Sequence, residues 1–265
     1  MITSRDNSLL RLARSVRDGK TPEFIFVEGM RLCEEALRSG LSIESVIVSD
    51  ELAAKEKAVS LIEKLAAAAK RTAFVSENLL ESISYTRTPQ GIVLLAERPE
   101  TTEQHFAAQQ KDPALVVIMH RINNPVNVGA ILRTAEAAGA TGAVATQHTA
   151  DPFSAKALRG AMGSAFRLPV WFAPTFTEAV GWCSRHSIQT ICADVHASTG
   201  YDEVAWMQPS ALILGAESSG LTREEIEAAN GSVRIPMRGP AESLNVAVAT
   251  GVLLYEAARQ RQSQR

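Results

Sequence analysis

Three polar, glycine-bearing stretches carry the residues best suited to chemistry. In the first, His120 to Thr134, Asn127 and Arg133 supply an amide and a guanidinium. Asn124 followed by Pro125 predicts a helix start, because Asn caps free N–H groups and proline suits the first turn. Asn127 and Arg133 are six residues apart, about a turn and two-thirds of helix, so joint action needs Asn127 in a non-helical entry. The second stretch, Leu214 to Thr222, comes close to a triphosphate-binding loop but fails at its decisive place. Leu221 stands where that loop needs Lys, and Glu217 puts negative charge inside the cradle. An acid there suits a cationic or hydroxyl-bearing partner instead. The spaced-glycine dinucleotide fingerprint is also absent. In the third stretch, Ile235 to Ala249, Ser243 reads as the N-cap of a helix, with Leu244 and Asn245 in its first turn.

The elements that must position these stretches alternate. After Pro113, apolar strand-like runs recur at Leu115–Met119, Ala143–Thr146, Leu168–Trp171, Ile188–Ala193, Leu212–Gly215 and Val233–Pro236. Helices are expected between them at about 128–138, 154–162, 175–186, 222–229 and 243–260. Strands apolar on both faces, separated by helices, argue for an α/β domain with a covered parallel sheet. In such sheets ligands sit beyond the carboxyl ends of the strands, where all three stretches fall. The helix from Val246 to Tyr255 is almost wholly apolar, as expected of a helix in a core and a subunit interface.

The first hundred residues read as a smaller α/β unit. Helices are expected at Asn7–Asp18, Met30–Leu37 and Glu51–Ala69, and strands at Glu23–Val27, Ile43–Val48, Thr72–Ser76 and Ile92–Ala96. Thr86 to Gly91 is a polar turn able to serve as a contact loop. The proline-framed, aperiodic stretch 99–113 reads as a linker, giving domains at 1–98 and 114–265.

In these residues the sequence resembles the SpoU/TrmH branch of the SPOUT RNA methyltransferases. The motifs are Asn127-x-Gly129-x-x-x-Arg133-Thr134, Gly215-x-Glu217-x-x-Gly220-Leu221, and Ile235-Pro236-Met237 with Ser243-Leu244-Asn245-Val246-x-Val248-Ala249. The run Asp151-Pro152-Phe153-Ser154-x-Lys156-Ala157-x-Arg159-x-x-x-Gly163 also looks familial. Phe26-Val27-Glu28-Gly29, Glu35-Ala36 and Thr88-Pro89-Gln90-Gly91 resemble the small substrate-binding domain of ribosomal-RNA members, similar to a ribosomal-protein fold. The resemblance implies S-adenosyl-L-methionine as donor and a ribose 2′-hydroxyl of RNA as acceptor. It also implies a homodimer through the C-terminal domain and a trefoil knot there, which connection rules alone would not predict. Carried over by position, Leu214, Gly215, Ile235, Met237 and Leu244 hold the cofactor. Arg133 acts at the 2′-oxygen, positioned together with ribose and phosphate by Asn127, Glu217, Ser243 and Asn245. Ribosomal RNA is favoured over transfer RNA; a non-catalytic RNA-binding module on the same fold is the rival. Two departures, Ala247 and Glu242, touch no catalytic position.

Composition bounds these readings. The chain has 265 residues, 46% hydrophobic and 21% charged, typical of a globular protein. Its net charge of −2 argues against loose, charge-driven RNA binding. Local clusters offset this: Arg5, Arg11, Arg14, Arg17 and Lys20 near the start, and Arg121, Arg133, Lys156, Arg159 and Arg167 further on. No apolar run is long enough to cross a membrane, MITSRDNSLL has no signal-peptide core, and three scattered cysteines form no disulfide framework. A cytoplasmic protein is expected. Cys183-x-x-His186 and Cys192-x-x-x-His196 suit zinc by ligand type but are too closely spaced, so no metal is expected.

Overall fold

A computed structural model describes residues 1–262, which fall into two units. The first comprises Met1–Pro99 with Phe153–Arg167, and the second Glu100–Pro152 with the described residues from Leu168 onward.

The first unit begins with α1 (Ser8–Arg17), capped by the Asn7 side chain, which accepts the Leu9 N–H. Leu9, Leu10, Ala13 and Val16 recur at helical spacing and are its buried face. There follow β1 (Phe24–Glu28), α2 (Met30–Arg38), β2 (Ile43–Ser49), α3 (Asp50–Ala53), α4 (Glu56–Ala68), β3 (Ala69–Val75), α5 (Glu77–Ile83) and β4 (Ile92–Glu97). The sheet order is β1-β4-β2-β3, with β2 and β3 parallel and the other pairs antiparallel. Phe26, Ile47, Val93 and Leu95 form the sheet face on which α1 and α5 bury their apolar residues. The single helix expected at 51–69 is two, because Lys55 turns extended (φ −86, ψ 116) and Ala69 already belongs to a strand.

In the second unit, α6 (Glu103–Ala108), β5 (Leu115–Met119), α7 (Pro125–Ala137) and β6 (Gly142–Thr146) come first. The chain then gives α8 (Ala155–Ala161) and α9 (Ser164–Arg167) to the first unit. There Ala155 packs against the α1 core, and Arg167 pairs with Glu35. The second unit resumes with β7 (Val170–Ala173), α10 (Phe176–Arg185), β8 (Gln189–Ala193), β9 (Ser210–Leu214), α11 (Arg223–Glu227), β10 (Gly231–Val233) and α12 (Val246–Gln262). Its sheet, β10-β8-β9-β5-β6-β7, is parallel throughout, as expected.

Two expected boundaries need correcting. Residues 99–113 are no bare linker: α6 buries Phe106 completely against Trp182 (5.1 Å between centroids) and Trp171 (6.1 Å). Gly142 leaves the room, since a side chain there would collide with the Phe106 ring. The domain expected at 114–265 is also not one continuous block, because Phe153–Arg167 clusters with the first unit.

Candidate active site

Strand order reverses between β5 and β9, which run side by side with Met119 opposite Leu214. Ligand clefts form at such switch points, beyond the carboxyl ends of the strands. An open cleft of about 1540 Å³ lies here, lined by Asn127 of α7, by 214–221 after β9, and by 233–237 and 242–246 before α12.

Of the site residues expected from sequence, Asn127, Glu217, Ser243, Asn245, Leu214, Gly215, Ile235, Met237 and Leu244 all line the cleft. Arg133 does not. Asn124 caps α7, accepting the Val126 N–H, and Pro125 opens it, so Asn127 is helical rather than in an irregular entry. Six residues further on, Arg133 is rotated about 240° from it on a regular helix. It is exposed on another face.

The polar groups form a chain. The Asn127 side-chain N–H donates to Glu217 Oε1 (2.7 Å), and the Asn245 amide donates to Asn127 Oδ1 (3.4 Å). Asn245 Oδ1 accepts the Ala247 N–H (2.9 Å). Asn245, not Ser243, therefore caps α12, which starts at Val246 and not at 243. Both residue types suit that role locally; the bond to Asn127 adds a tertiary reason for Asn245.

Gly215 is required by close packing. A Cβ there would meet Gly220 C at 2.6 Å and Leu221 N at 2.7 Å, so the loop closes on its own backbone. Gly220 (φ 62) makes the return turn, its N–H donating to Ala216 O at 2.8 Å. Sequence reasoning missed the β8 edge of the cleft, Asp194, Val195 and His196, and also Arg223 and Arg234. The polar break after an apolar strand is the available signal; of these residues only His196 enters the sequence reading, as a zinc-ligand type.

The cysteine–histidine pairs stay apart. Cys183 and Cys192 are buried, and burial pushes both thiols up to about 12. His186 stacks on Trp182 and its Nδ1–H donates to the Trp182 carbonyl. Among the described residues, no three His, Cys, Asp or Glu side chains gather as a metal site.

Residues 114–255 match the SpoU rRNA Methylase family. The chain belongs to that family. Residues 26–102 match a second family, RNA 2′-O ribose methyltransferase substrate binding. The chain is 31% identical to the 23S rRNA (guanosine(2553)-2′-O)-methyltransferase RlmP of Bacillus subtilis, over 89% of this chain and 88% of that one. An AdoMet-bound rRNA methyltransferase from Sinorhizobium meliloti superposes with a TM-score of 0.85 at 29% identity, covering 97% of both chains. A TrmH/SpoU tRNA-modifying enzyme of A. aeolicus matches 60% of this chain and 81% of its own, with a TM-score of 0.52 and 26% identity. This SpoU chain is thus an RNA methyltransferase using S-adenosylmethionine to modify a ribose 2′-hydroxyl.

The cleft fits that cofactor. Leu214, Ile235, Met237 and Leu244 supply apolar lining, and Glu217 supplies an acid for a cationic ligand. The loop folded tightly on Gly215 places backbone polar groups beside them.

Proposed function

We propose that this SpoU protein methylates ribosomal RNA as a homodimer in which Arg133 acts in the partner's cleft. The placement of Arg133 carries this reading. Val126 and Arg133 are seven residues apart on α7, and both are exposed. On α12, which packs against α7, Val248 and Tyr255 stand at the same seven-residue spacing with exposures of 54% and 56%, and Leu244, just before that helix, is 37% exposed. An apolar stripe continuous with a cleft suits self-association, and a two-fold arrangement brings each α7 to the other copy's site.

Bound S-adenosylmethionine supplies a methyl group already activated by its sulfonium. The protein then has to hold the ribose hydroxyl in line and stabilise the charge that develops on its oxygen. A guanidinium is a donor-only cation, so we assign Arg133 that charge stabilisation, with the hydroxyl proton released to the neighbouring RNA phosphate or to water. Asn127 fixes Glu217 through the 2.7 Å bond, and Asn245 fixes Asn127. Ser243, beside them, is placed to bind ribose or phosphate.

Ribosomal RNA is favoured because the rRNA-acting neighbour spans nearly the whole chain, whereas the tRNA-acting one matches only 60% of it. The first unit also offers a surface for a large anion. Arg11, Arg87, Lys156 and Arg159 are exposed there and have no carboxylate partner among the described residues. The Glu28 carboxylate accepts the Tyr85 and Thr86 N–H groups, tethering the 86–91 loop with Tyr85 exposed beside it. The deciding experiment is methyl transfer from labelled donor to ribosomal and transfer RNA, followed by mapping of 2′-O-methyl sites. Incorporation confined to ribosomal RNA is expected; transfer-RNA incorporation alone overturns the substrate, and none at all favours a non-catalytic binding module.

A further inference from the structure

One buried residue outside the cleft touches both ends of the loop that forms it. His120, 7% exposed, follows β5, and its backbone N–H donates to Leu214 O (2.9 Å) where the loop begins. Its ring reaches the other end. Nε2 lies 2.9 Å from Glu225 Oε1, and Nδ1 lies 2.7 Å from Thr146 Oγ1. A carboxylate only accepts, so Nε2 carries the proton and Nδ1 accepts from the Thr146 hydroxyl. The Phe176 ring packs on the imidazole at 4.9 Å between centroids.

Glu225 belongs to α11 and closes the last residue of the loop. Its Oε2 accepts the Thr222 N–H (2.7 Å), while its own N–H donates to Thr222 Oγ1 (3.3 Å), a reciprocal cap. The same Oε2 accepts from Arg121 Nη2 at 2.7 Å. Arg121 adopts φ 58, a left-handed conformation that a non-glycine residue keeps only where its surroundings hold it. Glu225 therefore ties the exit of the loop to the two residues that leave β5, and His120 ties its entrance. Between those anchors run Gly215 and Glu217, both in the cleft.

We propose that His120 is a positioning residue, clamping the two ends of the 215–222 loop so that the cleft is preformed for its methyl donor. This rests on reading the cleft as the donor site. His120 touches neither donor nor RNA and acts through Leu214 and Glu225. Loss of the clamp leaves the loop residues in place in sequence but frees their separation, and small misplacements of binding groups are costly.

The test measures S-adenosylmethionine affinity by calorimetry, donor KM and kcat, and amide hydrogen exchange along the full-length chain, for wild type, His120→Ala, His120→Gln and Glu225→Ala. The clamp predicts that His120→Ala and Glu225→Ala weaken donor binding about tenfold, by misplacing loop groups. Donor KM rises more than kcat falls, and faster exchange is confined to 215–222. His120→Gln keeps an N–H donor toward Glu225 and recovers part of the loss. Wild-type donor affinity in a folded His120→Ala protein overturns the proposal. If that variant does not fold, Glu225→Ala, altered at the partly exposed end of the pair, decides in the same way. Wild-type protein that binds no donor overturns the reading of the cleft instead. The exchange comparison between ligand-free proteins then still judges the clamp.

Discussion

Asn127 and Arg133 leave the same helix in different directions: Asn127 lines the cleft and bonds Glu217, while Arg133 stands exposed on another face of α7. If both serve one reaction, two chains must contribute to each site. Arg133→Ala and Glu217→Ala should each abolish methyl transfer as separate proteins. Mixed and allowed to exchange subunits, they should recover roughly a quarter of wild-type activity, because half the dimers carry one intact site. No recovery in a mixture shown to contain hybrid dimers places Arg133 outside the shared site.

Gly215 tests the loop from inside. Gly215→Ala puts a Cβ within 2.7 Å of backbone atoms that cannot rotate away, so residues 220–221 must shift. The loop lies at the surface of the second unit and touches the hydrophobic core through the half-buried Leu221. Donor affinity is expected to fall at least tenfold, with a thermal midpoint close to wild type, since misplaced groups affect binding more than packing. Tight donor binding by this variant contradicts a cradle built on close backbone approach.

Stability should fall with acid in two steps traceable to the His120–Glu225 pair. Burial lowers the His120 pKa below 6.5, against the opposing pull of Glu225. The unfolded state therefore takes up its proton first. The contribution is complete above pH 6.5 and is lost as pH falls from there through the folded value. Glu225 feels burial, which raises its pKa, but the Thr222 N–H, His120 and Arg121 together bring it below 4.5. Its contribution is present above pH 4.5 and lost at lower pH. Thermal midpoints measured from pH 8 to 2.5 check this. His120→Gln should flatten the upper step and leave the lower one; an unchanged upper step assigns it to another group.

What was legible in the sequence was local. The Asn124–Pro125 helix start depends on neighbouring residues only, and it forms as expected. The apolar strand runs placed the parallel sheet because burial on both faces leaves a pattern within each strand. Pairings across long separations leave none. Glu225 lies 105 residues from His120, and nothing near either predicts the bond. Helix α6 has six residues and one buried aromatic, too short for a period to show, and its fixing partners Trp171 and Trp182 are far along the chain. The choice of Asn245 over Ser243 as helix cap likewise follows from Asn127, a tertiary neighbour.

The Arg261 guanidinium, beside Gln260, fastens the end of α12. Arg261 donates Nε to Trp206 O (2.7 Å), Nη1 to Pro113 O (2.8 Å), and Nη2 to Ala114 O and Gln208 O (both 2.9 Å). These four carbonyls precede β5 or β9, so Arg261 joins the C-terminal helix to the starts of the two central strands. Removing the donor takes away the hydrogen bonds to the Trp206 and Pro113 carbonyls, while Ala114 O and Gln208 O keep the Ser210 N–H and hydroxyl. Arg261→Ala should cost about 3 kcal/mol, since hydrogen bonds from charged groups contribute more than neutral ones. For a chain of this size that lowers Tm by roughly 5–10 °C. Arg261→Lys should recover less than half of it, because an ammonium on a flexible stem cannot fan out to four carbonyls as a planar guanidinium does. Calorimetric unfolding of the two variants measures both effects. A Lys variant as stable as wild type would show that charge alone, rather than the fork of donors, holds the helix end.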